Sequence, residues 1–219
     1  MMNSKIEQLL TRLDDLSGEI LRQLRVKKVI TQVEMNEYYS VLDQLTNLLY
    51  KEHVISKKIT NEVYYLLSMI LVESNYAERD QMSLLNEFLK LGSKLSDLFS
   101  LEEPIVDEKI NNLTMEVMNL SNVIKISLDQ GIIPRKPMDD LNYLFQQSVK
   151  FYENENFVPK SLASALLNVC LLIITYSNYL NNPIPGNLIR SSQDDIKEPI
   201  VTEYWKNEEL LGKFMGLSY

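Results

Sequence analysis

Residues 61–76 read NEVYYLLSMILVESNY and residues 164–179 read SALLNVCLLIITYSNY. Both stretches are apolar around most of a helical circumference, so each predicts a helix buried among other helices and not one laid on a surface. They also correspond position by position at an offset of 103, with Ile70, Ser74, Asn75 and Tyr76 recurring as Ile173, Ser177, Asn178 and Tyr179.

The correspondence extends toward the N-terminus. At the same offset Ile30, Met35, Gln44, Glu52 and Lys57 match Ile133, Met138, Gln147, Glu155 and Lys160, giving nine identities in 48 positions. Further upstream the offset becomes 104, where Lys5, Ile6, Leu9, Leu16, Ser17, Ile20 and Leu24 match Lys109, Ile110, Leu113, Leu120, Ser121, Ile124 and Leu128, seven identities in 21 positions. The one-residue slip falls in a loop, where insertions are tolerated. This pattern predicts an all-α bundle of seven to eight helices, built from two tandem three- or four-helix units related by internal duplication. The first unit spans 1–103. The second, 104–181, packs on it as one core, the two apolar helices meeting across a pseudo-twofold axis. A proline-interrupted segment with a short helix, 182–219, follows.

Apolar residues three and four apart set the individual helices. Ile6, Leu9, Leu13, Leu16, Ile20 and Leu24 form one stripe over residues 3–25, at a small cost from Gly18. Thr31 and Glu34 form a capping box for a second helix, with Met35, Tyr38, Leu42, Leu45 and Leu49 facing inward. Val54-Ile55-Ser56 repeats the apolar-apolar-cap arrangement before the third helix. Leu84, Phe88, Leu91, Leu95 and Leu98 mark a fourth over residues 80–99. Thr31 and Ser56 are replaced in the second unit by Pro134 and Pro159, which also start helices. No strand is expected. Pro183, Pro185, Gly186 and Pro199 exclude a continuous helix after Asn182. The short helix at 201–215 carries Leu211-Gly212-Lys213, distantly similar to Leu91-Gly92-Ser93-Lys94.

Composition narrows the function. The formal charge of -8 gives no nucleic-acid footprint and suits a basic protein partner if a charged one exists. A single cysteine, Cys170, excludes an internal disulfide and fits a reducing, cytoplasmic setting. The N-terminal residues carry Lys5 and Glu7 early and show no signal peptide. The longest apolar run, Leu166–Ile174, is about half of a ~20-residue membrane span. With His53 the only histidine, no zinc or diiron ligand set exists, and no glycine-rich phosphate loop is present. No cofactor is expected.

Four carboxylates are candidate metal ligands: Glu34 and Glu37, with Asp139 and Asp140 at the equivalent point of the second unit. Their ordinary roles are capping and first-turn charge. Lys57 and Lys160 are equivalent cations in helical first turns and are candidates for an anion site. Tyr38, Tyr39, Tyr204, Trp205 and Phe214 are candidate partner contacts, since aromatic side chains are enriched in interfaces.

The reading is a non-enzymatic cytosolic protein-binding or regulatory helical module, of immunity, antitoxin or adaptor-like kind. Its partner is another protein, not nucleic acid or membrane, and a homodimer through the apolar helices is the competing arrangement. The alternatives are an Mg²⁺- or Mn²⁺-dependent enzyme acting on a phosphorylated small molecule, and a ligand sensor with an apolar pocket between the units.

Overall fold

The computed structural model describes residues 2–27, 29–75, 81–100, 107–181 and 209–215. The chain is all-α. Its elements are α1 (Met2–Lys27), α2 (Gln32–Leu49), β1 (Val54–Ser56), α3 (Lys57–Asn75), α4 (Gln81–Leu98), α5 (Glu108–Asp129), α6 (Arg135–Tyr152), β2 (Phe157–Pro159) and α7 (Lys160–Asn181). A short helix, α8, covers residues 209–215. Tyr204 and Trp205, and the proline-interrupted stretch at 182–199, lie outside the described residues.

Two compact units divide the chain. The first holds α1 to α4 together with Asn156–Ser164, that is, β2 and the opening turn of α7. The second holds α5, α6, the remainder of α7 and α8 as far as Phe214.

In the first unit α1 packs on α2 and α3, and α4 packs on the same two helices, so the four close into a ring. The inward stripes supply its centre: Leu13, Ile20, Leu24, Met35, Leu42, Leu45, Val63, Leu66, Ile70, Leu91 and Leu95 are fully buried. Each contributes about 2 kcal/mol of burial free energy. Helix α3 behaves as its composition demands, with only Lys58 and Tyr65 exposed over residues 57–74. In α7 only Asn168 is exposed over residues 160–176.

The start of α2 differs from the expected capping box. Thr31 occupies the N-cap position with extended backbone, but its side chain caps no amide. The hydroxyl instead donates to Gln23 Oε1 at 2.6 Å, an acceptor supplied by α1. The tertiary partner outcompetes the local one. Ser56, by contrast, accepts from the Ile59 amide at 3.3 Å and opens α3 as expected.

The structure also overturns the expectation of no strand. Val54–Ser56 and Phe157–Pro159 pair antiparallel, with Val54 opposite Pro159, Ile55 opposite Val158 and Ser56 opposite Phe157. Periodicity could not reveal them, because three residues before a helix are too few to show alternation, and the partners lie about a hundred residues apart. The register is self-equivalent: Ile55 and Val158 differ by 103 and form the central pair. The Lys57 amide donates to Asn156 O at 2.8 Å and the Lys160 amide to His53 O at 3.0 Å. The donors of these two bonds are 103 residues apart, and so are the acceptors. The element limits follow the same arithmetic, since adding 103 to 32–49, 54–56 and to residue 57 returns 135–152, 157–159 and 160.

In the second unit α5 packs on α6. Asp107 caps α5 by accepting from the amides of Lys109 and Ile110 at 3.0 and 3.1 Å. The helix ends at Gly131, whose φ of 71° is left-handed. Its amide donates to Leu128 O at 3.0 Å, and the Ile132 amide to Ser127 O at 2.9 Å. That pair of bonds closes the helix in a Schellman motif, for which glycine is the suited residue.

Candidate partner-binding surfaces

Helix α5 is amphipathic, and its inner stripe consists of Thr114, Val117, Ile124 and Leu128. Its outer face breaks the usual pattern. Met115, Met118, Val123 and Ile126 are between 47% and 57% exposed. On a helical projection Met115, Met118, Asn119, Asn122 and Ile126 share one side, which carries no charge between residues 111 and 126 and is bounded by Glu108 and Asp129 at the helix ends. The equivalent residues of α1, at offset 104, are Thr11, Asp14, Glu19 and Arg22. One helix thus presents a solvated face where the other presents methyl groups. The identities with α1 include Ile124 and Leu128 of the inner stripe but not Thr114 or Val117, while Ile110, Leu113 and Leu120, also identities, are half-buried. Setting that stripe aside leaves Met115, Met118, Val123 and Ile126 among the polar residues of α5, where the aligned positions of α1 are all polar.

A second surface lies along α6. Asp139, Asn142, Tyr143 and Gln146 occupy one side of that helix, and with Glu209 and Leu210 of α8 they line a cleft of about 520 Å³. Glu209 accepts from Lys213 one turn later at 2.5 Å. The tyrosine ring is largely exposed.

The first unit carries a polar set of which the second unit retains only the serine. Asp14 and Ser17 of α1, Tyr38 of α2 and Glu62 of α3 correspond to Met118, Ser121, Leu141 and Ala165. Burial pushes the Tyr38 phenol well above its usual range, opposed by the nearby Ser17 hydroxyl and reinforced by Glu62. Burial also raises the Glu62 carboxyl, with Asp14 adding to the shift and Lys58 opposing it.

The residues singled out from sequence fall as follows. Tyr38 is fully buried. Tyr39 is buried too, donating to Glu87 Oε2 at 2.8 Å beneath the Lys90 ammonium, which stands 4.6 Å from the ring centroid. Phe214 is buried with its ring edge-on to Tyr152 at 5.7 Å. All three serve the interior and offer a partner no surface. The amphipathic pattern placed Tyr38 inward, but nothing in the sequence distinguished Phe214 from an exposed contact.

Glu37 is exposed and ion-paired with Arg12. Glu34 is held below the usual carboxylate range by the Thr31 hydroxyl first, then by its own amide, with Gln23 assisting. Asp140 accepts from Lys136 at 2.7 Å, and Asp139 borders the α6 cleft. Among the described residues no three His, Cys, Asp or Glu side chains are placed to hold one metal ion.

Lys160 departs from the anion-site expectation. Its side chain is fully buried. The ammonium donates to Leu49 O at 2.6 Å, the last carbonyl of α2, where a cation is favoured by the helix dipole. Burial holds its pKa below the lysine range, with Glu52 opposing the shift. Lys57, its counterpart, is half-buried at the start of α3. His53 is exposed and Cys170 buried.

The architecture is that of a helical bundle, and among the described residues no helix is long and apolar enough to cross a membrane. No family model matches the chain, and no curated protein or solved structure matches it either.

Proposed function

We propose that this chain is a non-enzymatic cytosolic protein-binding module, of the immunity, antitoxin or adaptor-like kind, that holds an apolar helix of another protein against the outer face of α5. The observation carrying this reading is the substitution of Met115, Met118, Val123 and Ile126 for the polar set Thr11, Asp14, Glu19 and Arg22 at equivalent positions. Four exposed apolar side chains on one helix face, interspersed only with Asn119 and Asn122, suit a surface that a partner covers. Two methionines suit adaptable contact with an apolar surface. The net charge of -8 favours a partner with basic residues around its apolar stripe. The two units are read here as products of duplication, with the first retaining a solvated outer helix and the second specialising it. The shared element limits and the self-equivalent strand register support that descent.

The test replaces the apolar face with the residues its counterpart carries: Met118→Asp, Val123→Glu and Ile126→Arg together. Tagged wild-type chain is expected to retain a specific protein from the native cell extract that the triple variant releases, while helical content and melting temperature stay the same. Retention of the same protein by both would overturn the assignment of the face. Wild-type dimerisation lost in the triple variant, read by sedimentation, would replace the foreign partner with a second copy of this chain.

A further inference from the structure

The first unit contains an internal example of how a helix docks on the face that the α6 cleft leaves open. Residues 36, 39, 40 and 43 of α2 are the counterparts of Asp139, Asn142, Tyr143 and Gln146. Helix α4 runs beside that face of α2, burying Tyr39 while Asn36, Ser40 and Asp43 stay exposed, and reaches it with two cations one turn apart. Lys94 Nζ lies 2.7 Å from Asp43 Oδ1, and Lys90 Nζ stands over the Tyr39 ring. The recognition is a carboxylate and an aromatic ring four residues apart, answered by two ammonium groups four residues apart.

On α6 a carboxylate and a ring are again four residues apart, in the opposite order along the helix and at the neighbouring positions. Asp139 and Tyr143 are four residues apart, so both point to one side. The ring is 60% exposed. Instead of an 18-residue helix, the seven residues of α8 form the facing wall, contributing Glu209 and Leu210 to the cleft of about 520 Å³. Asn142 and Gln146 add amide donors and acceptors to the floor. Both charged side chains lining the cleft are carboxylates, and Glu209 shares its charge with Lys213.

We infer that the α6–α8 cleft binds a basic helical segment of a partner protein, one carrying two Arg or Lys side chains a single turn apart. One cation pairs with Asp139 and the other stacks on Tyr143. Glu209 supplies negative potential from the opposite wall, and the amides accept the remaining guanidinium protons. This deepens the protein-binding reading and rests on it for the nature of the occupant, but it uses a surface separate from the α5 face.

The experiment titrates isotopically labelled full-length chain with an alanine-based helical peptide bearing Arg at positions i and i+4, and in parallel with the same peptide bearing Glu at both. Amide shifts confined to 139–146 and 209–213, saturable with the Arg peptide and absent with the Glu peptide, are expected. Asp139→Asn and Tyr143→Ala should each weaken the interaction roughly tenfold, and added salt should weaken it further. Tyr143→Phe keeps the ring and should bind like wild type. Both positions are exposed, so unaltered circular dichroism is expected for each variant. Equal response to the two peptides, an unaffected Asp139→Asn variant, or shifts centred elsewhere would overturn the assignment. Normal peptide binding by the α5 triple variant, alongside loss of its captured protein, separates the two surfaces. Failure of the peptide with the α5-dependent capture intact rejects the cleft alone.

Discussion

Helices α1 and α5 solve the same packing problem with one face and diverge on the other. Leu13, Ile20 and Leu24 are buried in α1, and so are their counterparts Val117, Ile124 and Leu128 in α5. Outward, α1 carries Asp14, Glu19 and Arg22, with Glu19 bonded to Arg22 at 2.7 Å and to Gln23 at 2.7 Å. Its counterpart carries Met118, Val123 and Ile126. The inner face must match the volume of neighbouring helices and tolerates little change. Solvent imposes no such condition on the outer face, so a difference confined there reports on what the face meets. Around Ser17, which the second unit keeps as Ser121, the contrast runs the same way, with Asp14, Tyr38 and Glu62 aligned with Met118, Leu141 and Ala165.

The sharpest way to probe the shared half of this comparison is truncation of its equivalent core residues. Leu13→Ala should cost about 3 kcal/mol in denaturant melts, and Val117→Ala less because fewer methyl groups are lost. A negligible cost at either would break the equivalence of the inner faces. Next in size is Gly131→Ala, expected to lose about 1 kcal/mol because an L side chain disfavours the left-handed backbone there. Gly18→Ala should gain up to about 1 kcal/mol. A Cβ at Gly18 meets nothing within 4 Å, and α1 runs uninterrupted through that position.

A smaller, pH-dependent effect is expected at Glu62. Its folded pKa is raised, so the stability it contributes is complete below the ordinary glutamate value of about 4.3 and is lost as pH rises through the folded value. Glu62→Gln should therefore melt above wild type at neutral pH and coincide with it near pH 4. The reverse order would place the carboxylate in a stabilising role. The smallest expected change is in the stability of the α5 triple variant, within about 0.5 kcal/mol of wild type. A larger loss would mean that the outer face of α5 already supports the fold.

Much of the helical plan was legible because long amphipathic segments carry their own signal. The inward stripes of α1, α2 and α4 fall where the spacing put them, and Ser56 caps as read. Features decided by distant partners were not legible. Thr31 is diverted by Gln23, β1 and β2 exist only as a pair, and Lys160 is explained by a carbonyl at the end of α2. Of the candidate interface aromatics, Tyr38, Tyr39 and Phe214 are buried, and for Tyr39 the reason is again distant, since Glu87 and Lys90 sit on α4. The α5 stripe was present in the sequence, but only the contrast with α1 makes it stand out from ordinary core methyl groups.

The strand pair has a consequence for the order in which the chain can fold. Closing a loop of about a hundred residues costs about 4 kcal/mol in chain entropy, against pieces of α1 to α4 that need only neighbours. During synthesis those four helices can therefore assemble while the ribosome is still making α5. Until β2 emerges, however, the inner side of Ile55 stays wet and the last carbonyl of α2 lacks its ammonium. A nascent chain halted before residue 157 would be a helical intermediate with an unfinished seam, open to pairing with the same seam on another chain.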